Sequence, residues 1–309
     1  MSTTRAVVFA YHDVGVRCLE VLLSAGVEVP LVVTTRDDPN ETQWFASASD
    51  LAREYGLPVI MPAEVNTPEV ERMVAELRPD FVFSFYFRSM IGAPLLNAAR
   101  LGALNIHGSM LPRYRGRAPV NWAILHGEHE TGATLHYMTA RADAGEIVDQ
   151  LAVPILENDE AREVFNKVTV AAEIILARSL PGLIQGTAPR IVQKLEDGQY
   201  FGRRRPEDGR IDWSRSARDI HNLVRAVAPP FPGAFAQVDG DRWMIYKTRV
   251  EPRTIERSER ARLFGAEGRC YVACREGGVL RILSAATDSG PVDLASIART
   301  LQRHPLTLG

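Results

Sequence analysis

Short apolar runs alternate with helix-length segments through the first half of the chain. Arg5 to Ala10 reads as a buried strand, and Asp13 as the cap of a helix through Ala25 that Gly26 stops. Val29 to Val33 is a second strand, Ala46 to Tyr55 a helix ending at Gly56, and Val59-Ile60-Met61 a short third strand. Thr67, with Pro68 at the first helical position and Glu71 in the first turn, starts a helix reaching Leu77. Phe81-Val82-Phe83-Ser84 and Leu104 to His107 supply a fourth and a fifth strand. Strands separated by helices imply βαβ units and a parallel sheet. Ligands on such sheets sit beyond the carboxyl ends of the strands, where Tyr11, Ser84 and His107 fall.

The pattern then loosens. A short helix follows Pro119 as far as His126, Thr134 to Met138 is strand-like, Arg141 to Gly145 is a loop, and Asp159 to Gln185 is a long helical pattern closed by Gly186. Gly198, Gly202, Pro206 and Gly209 interrupt the next stretch, beside the charge run Arg203-Arg204-Arg205, and the domain junction belongs there. Beyond it we expect one helix, Ser216 to Val227, and short strands at 234–238, 243–250, 270–274 and 279–283. Such strands with Gly-containing turns suggest a small β-barrel or half-barrel.

Composition narrows the classes. At 46% hydrophobic and 24% charged residues the chain reads as globular. A net charge of −2 argues against a strongly cationic nucleic-acid face. Cys18, Cys270 and Cys274 make no disulfide framework. The N-terminal apolar run is too short for a signal-peptide core, and no run approaches the ~18 apolar residues of a membrane span. A reducing cytoplasm and no membrane insertion are the expectation.

The chemistry concentrates in Asn105-Ile-His107-Gly-Ser109, followed by a loop rich in Pro, Gly and Arg. Side chains two apart on a strand face the same way, so Asn105 and His107 share a face. An imidazole moves protons and an amide hydrogen-bonds a developing oxyanion, while a carboxylate can orient the imidazole. Asp143, in Arg-Ala-Asp-Ala-Gly, is the candidate carboxylate, although such an Asp can equally cap a turn. Arg113, Arg115 and Arg117 could clamp an anion or form a solvated surface; the same holds for Arg203 to Arg205. Neither GxGxxG nor a P-loop follows the first strand, and no GxSxG occurs, which disfavours a bound dinucleotide and a nucleophile-elbow hydrolase. His126 and His129 lack a nearby third ligand, so no metal is expected.

The block Asn105-Ile-His107-Gly-Ser-Met-Leu-Pro112-Arg-Tyr-Arg-Gly116-Arg-Ala-Pro119, with Thr131-Gly-Ala-Thr134 leading into Asp143-Ala-Gly145, resembles the signature of the 10-formyltetrahydrofolate-dependent formyltransferases. That resemblance implies an α/β fold: a Rossmann-like parallel-sheet formyltransferase domain over 1–188, a linker over 189–205, and an OB-like β-barrel domain over 206–309. Val8-Phe-Ala-Tyr-His-Asp13, Phe83-Ser-Phe-Tyr86 and Phe201-Gly-Arg-Arg204 are similar to the transformylase module of bifunctional polymyxin-resistance enzymes. These formylate the 4-amino group of UDP-4-amino-4-deoxy-L-arabinose during lipid A modification. Methionyl-tRNA formyltransferases look similar around the catalytic block, but here Thr34 to Glu41 is net acidic, which repels phosphates.

The resemblance further implies roles. Asn105, His107 and Asp143 would be catalytic. Ser89, Met90, Ile91, Arg117, Thr139, Ala140, Arg141, Ala142 and Asp143 would bind the folate co-substrate. Arg203 and Arg204 would contact the diphosphate of a nucleotide sugar lying across the domain junction. The chain ends at Gly309, leaving no room for the NAD-dependent decarboxylase domain of the bifunctional enzymes; the resemblance leaves open a stand-alone transformylase, with a separate decarboxylase partner, or a piece of a longer bifunctional enzyme.

Overall fold

The computed structural model describes residues 3–39, 42–253 and 259–308. Asn40 and Glu41, the end of the acidic loop, lie outside the described residues. The chain forms two compact units. The first comprises 1–119, 130–154 and 165–202; the second comprises 120–129, 155–164 and 203–309.

Five strands of the first unit are parallel: β1 (Arg5–Ala10), β2 (Glu28–Val33), β3 (Val59–Ile60), β4 (Phe81–Phe85) and β5 (Gly102–His107). The helices between them are α1 (His12–Ser24), α2 (Ala48–Glu54), α3 (Pro68–Glu76) and α4 (Ala93–Asn97). β6 (Arg115–Gly116) and α5 (Pro119–Leu125) follow, then β7 (Glu130–Tyr137) and β8 (Ile147–Pro154). The strand order β3-β2-β1-β4-β5-β7-β8 confirms the βαβ reading, but the last two strands run antiparallel. A direct hairpin joins β7 to β8, and a hairpin can only make an antiparallel pair. β1 and β4 are buried at nearly every position because both sheet faces are covered, which explains their continuous apolar sequence.

Thr67 caps α3 by accepting from the Val70 N–H (3.4 Å), as expected. Asp13 does not cap α1: Tyr11 holds that position, and the Asp13 N–H donates instead to His12 Nδ1 (2.9 Å). Helix α6 (Ala161–Gln185) is long and apolar enough to cross a membrane by length and composition. Val168, Ala171, Ala172, Ile175 and Leu176 are buried at helical spacing. Val170, Ile174 and Ile184 are exposed, and Glu173 bonds Arg17 while Arg178 bonds Asp149. β9 (Tyr200–Phe201) pairs in parallel with β6.

In the second unit the strands β10 (Ala234–Val238), β11 (Asp241–Glu251), β12 (Ala261–Ala266), β13 (Arg269–Ala273), β14 (Val279–Thr287), β15 (Gly290–Pro291) and β16 (Leu306–Leu308) form an antiparallel, barrel-like sheet. Its path is β10-β11-β14-β13-β12-β16, with β15 on β14. Helices α7 (Ala217–Ala226) and α8 (Leu294–Arg303) pack on it around Trp213, Trp243, Ile245 and Leu263. α8, β12, β15 and β16 are additions to the expected pattern. Cys270 and Cys274 are buried in this core, where burial pushes their thiols up to about 11 and about 12.

Candidate active site

Asn105 and His107 occupy the carboxyl end of β5, and the register places His136 of β7 directly opposite Asn105. The loop from β7 to β8 brings Asp143 back to the same point. Asp143 Oδ1 lies 3.6 Å from His107 Nδ1 and 3.7 Å from His136 Nε2, so the three predicted catalytic residues are brought together with a fourth, His136.

Asp143 is held from several sides. Its backbone is left-handed at φ 51°, a costly state for a residue with a side chain. Gln193 fastens the loop by donating to the Asp143 carbonyl (3.2 Å) and the Gly145 carbonyl (2.6 Å). Asp143 Oδ2 accepts from the Gly116 N–H (2.9 Å). Pairing of β6 with β9 sets that donor in place, at a φ of 99° that glycine tolerates. Burial works against the Asp143 charge, but the His107 imidazole, the Gly116 N–H and the Arg115 guanidinium outweigh it and hold the carboxyl below its ordinary range.

The two imidazoles differ in their bonding. His136 Nδ1 donates to the Tyr137 carbonyl (2.8 Å), since a carbonyl only accepts, and its Nε2 lone pair accepts from Asn105 Nδ2 (3.1 Å). Burial pushes His136 down to about 4, which agrees with that neutral form. His136 therefore fixes the orientation of the Asn105 amide and uses one of its two N–H groups, leaving the other for a ligand. His107 Nε2 donates to the Tyr114 carbonyl (2.8 Å), which turns Nδ1 toward Asp143. Both nitrogens of His107 thus face oxygen atoms, Nε2 in a hydrogen bond and Nδ1 at 3.6 Å from the Asp143 carboxylate.

A polar network braces the loop after His107. The Thr134 hydroxyl donates to the Ser109 carbonyl (2.6 Å) and accepts from the Leu111 N–H (3.1 Å), while Gln150 bonds both Leu111 and Thr134. Arg115 is 5% exposed and donates to the Leu195 and Gly198 carbonyls (3.3 Å each). It is thus a structural clamp on its own loop, whereas Arg117 is exposed and engages Phe201 through its backbone N–H (2.9 Å).

Ser89 and Met90 are exposed after β4, and Ile91 is buried in an apolar cluster that Met138 also packs against. The segments 89–91 and 139–142 therefore both emerge from this cluster. Thr139, Ala140 and Arg141 are exposed and Ala142 half-buried, with the Thr139 hydroxyl donating to the Arg141 carbonyl (2.9 Å). Arg203 and Arg204 belong to the second unit. Arg203 is exposed, and the Arg204 guanidinium lies 4.8 Å over the Trp122 ring and donates to the Asp208 carbonyl (3.0 Å). Among the described residues no group of three or more His, Cys, Asp or Glu side chains is placed to hold a metal ion.

The sequence reading passed over His136. Its only local signal is its place in Leu-His-Tyr, on a strand that precedes the Asp143 loop.

The arrangement offers a hydrogen-bond donor, an imidazole and a buried carboxylate at one strand end, a set suited to proton transfer and to stabilising an oxyanion. Solved structures share this fold. An N-formyltransferase from Helicobacter canadensis, in complex with folinic acid and dTDP-3-aminofucose, matches at 22% identity and a TM-score of 0.72, over 91% of this chain and 99% of that one. The sugar 3N-formyltransferase WlaRD, with dTDP and 5-N-formyl-THF, matches at 20% identity and 0.72, over 91% and 98%. HypX from Aquifex aeolicus, in complex with tetrahydrofolic acid, matches at 19% and 0.61, over 93% of this chain and 45% of that one. The formyl transferase family model matches residues 10–180, and the model of the formyl transferase C-terminal domain matches 204–301. Between them these two models cover both units, and the chain belongs to the formyl transferase family.

Proposed function

We propose that this protein is a sugar N-formyltransferase. It moves the formyl group of 10-formyltetrahydrofolate to the primary amine of a nucleotide-linked amino sugar in the cytoplasm, with the 4-amino group of UDP-4-amino-4-deoxy-L-arabinose as the acceptor. The convergence of Asn105, His107 and Asp143 at the end of β5 carries the reading. The acceptor class rests on the end-to-end likeness to sugar N-formyltransferases and on the Phe83-Ser-Phe-Tyr86 and Arg141-Ala-Asp-Ala-Gly145 segments.

The folate supplies an activated formyl carbon, and the exposed backbone at 89–90 and 139–141 suits a flat heterocycle with several polar edges. The unused N–H of Asn105 donates to the oxyanion that develops when the amine attacks. His107 carries the proton on its Nδ1 side, because Nε2 is held by Tyr114. Asp143 keeps that ring oriented and balances its charge. The proton lost by the amine ends on the departing folate nitrogen, so the transfer is neutral overall. Arg203 and Arg204 are the proposed diphosphate contacts.

The test is product mass after incubation with 10-formyltetrahydrofolate and a panel of acceptors: UDP-4-amino-4-deoxy-L-arabinose, dTDP-linked 3-amino and 4-amino sugars, and methionyl-tRNA. Formylation of the arabinose amine supports the full reading. Formylation of another amino sugar keeps the class and moves the acceptor. Formylation of methionyl-tRNA alone overturns it.

A further inference from the structure

The hydroxyl of Tyr86 is buried and has no hydrogen-bond partner among the described residues. Tyr86 directly follows β4, and continuing the β4–β5 register sets it beside His107. Its hydroxyl rests on Gly108, the residue after His107, at the place where a side-chain carbon would stand. A methyl group at 108 would collide with the oxygen, so the pair is built to bring a phenol to the strand end that carries the catalytic imidazole. The backbone of Tyr86 is left-handed at φ 55° to achieve this. A buried hydroxyl without a partner and a strained tyrosine backbone both destabilise the fold, and such costs gather where a ligand uses the group.

The surroundings indicate which ligand. Tyr86 packs edge-on against Phe165 at 5.4 Å and lies 6.5 Å from His12, in a cluster with Trp44 and Phe45. His12 and Phe45 also line a cleft with Thr34, Thr35 and Asp37 beyond β1 and β2. This is the β1 side of Tyr86, opposite in the strand order to β7 and the 139–142 loop. Aromatic faces beside hydroxyl and carboxylate groups fit a sugar ring, with apolar C–H faces and polar edges. Burial pushes the phenol up, so it stays protonated and acts as a neutral donor.

We infer that Tyr86 is a specificity-determining residue, whose hydroxyl donates a hydrogen bond to an oxygen of the acceptor sugar and so holds the amine beside His107. This inference rests on the acceptor class proposed above.

The experiment compares wild-type enzyme with Tyr86→Phe, which keeps the ring and removes only the hydroxyl. KM and kcat are measured separately for the amino-sugar nucleotide and for 10-formyltetrahydrofolate, together with Tm. We expect kcat/KM for the sugar to fall about tenfold to a hundredfold, the size of a lost hydrogen bond at a site built for one. The folate KM stays within about twofold, and Tm stays level or rises because an unpaired buried hydroxyl is gone. Unchanged kcat/KM for the sugar, or an equal loss for both substrates with a lower Tm, would overturn the assignment. Wild-type enzyme that formylates no amino-sugar nucleotide would instead sink the acceptor reading, and this inference with it.

Discussion

Left-handed residues other than glycine occur in both units, and they serve different ends. In the second unit they are Asp239 (φ 51°) and Glu267 (φ 52°), each followed by a left-handed glycine in a two-residue turn, between β10 and β11 and between β12 and β13. Such turns match the twist of the strands, and the conformation follows from the hairpin itself. The first unit has six such residues: Arg78, Tyr114 and Ala118 lie in connecting turns, while His12 (φ 66°), Tyr86 (φ 55°) and Asp143 (φ 51°) have no hairpin of the second unit's kind to account for them. They follow β1, follow β4 and sit in the β7–β8 loop, and their side chains point into polar or aromatic clusters at the carboxyl edge of the sheet. The same backbone state thus makes hairpin turns in the second unit and, at three positions of the first, carries side chains into these clusters; activity is expected to depend on the side chain only at those three.

The largest expected effects fall at the β5 end that Asp143 faces. Asn105→Ala and His107→Ala should each lower kcat about 10²–10⁴-fold, with Tm within about 3 °C of wild type in thermal melts, a small shift for a unit of this size. Gly116→Ala tests the link from backbone to site. Its new methyl would meet the Phe201 carbonyl at a φ of 99°, so urea titration should show a loss of about 2–3 kcal/mol. It should also cost activity, because the Gly116 N–H holds Asp143.

Acid should destabilise the first unit. Burial pushes His136 down to about 4, and burial with the nearby Arg88 charge pushes His12 down to about 3, against an ordinary 6.5. Below about pH 6.5 the unfolded chain binds protons that these folded imidazoles refuse. Stability thus falls on acidification toward pH 4, by at most about 1.4 kcal/mol per pH unit per group. Asp143, whose folded carboxyl titrates below its ordinary range, keeps its contribution through that window and loses it only at lower pH. Melting His12→Asn, which retains a residue tolerant of the left-handed backbone, should give a flatter pH dependence. The smallest effect belongs to the hairpins: Glu267→Gly should change stability by under about 1 kcal/mol and leave formyl transfer unchanged.

What could be read from the sequence was local. The apolar runs of β1 and β4, the Thr67 cap and the shared face of Asn105 and His107 depend on neighbours a few residues apart. The long-range features were hidden. His136 joins the site through the antiparallel register of β5 and β7, set by a connection that includes β6 and α5. β12 escaped notice because Gly265 breaks its apolar pattern, yet that glycine is what lets the α8 backbone at Ala298 approach so closely. Arg115 read as a candidate anion clamp, since nothing in the sequence reveals that Leu195 and Gly198 fold back to accept from it.

The central claim is that a charged carboxylate, held on a left-handed backbone, organises His107 for formyl transfer. Asp143→Asn tests it most directly, because asparagine matches the shape and tolerates the conformation while losing the charge. Single-turnover transfer from 10-formyltetrahydrofolate to the best acceptor of the panel would be measured beside folate affinity and Tm. The account predicts a rate at least about a hundredfold lower, with folate binding and Tm near wild type. A rate within a few-fold of wild type, with folate bound normally, would contradict it.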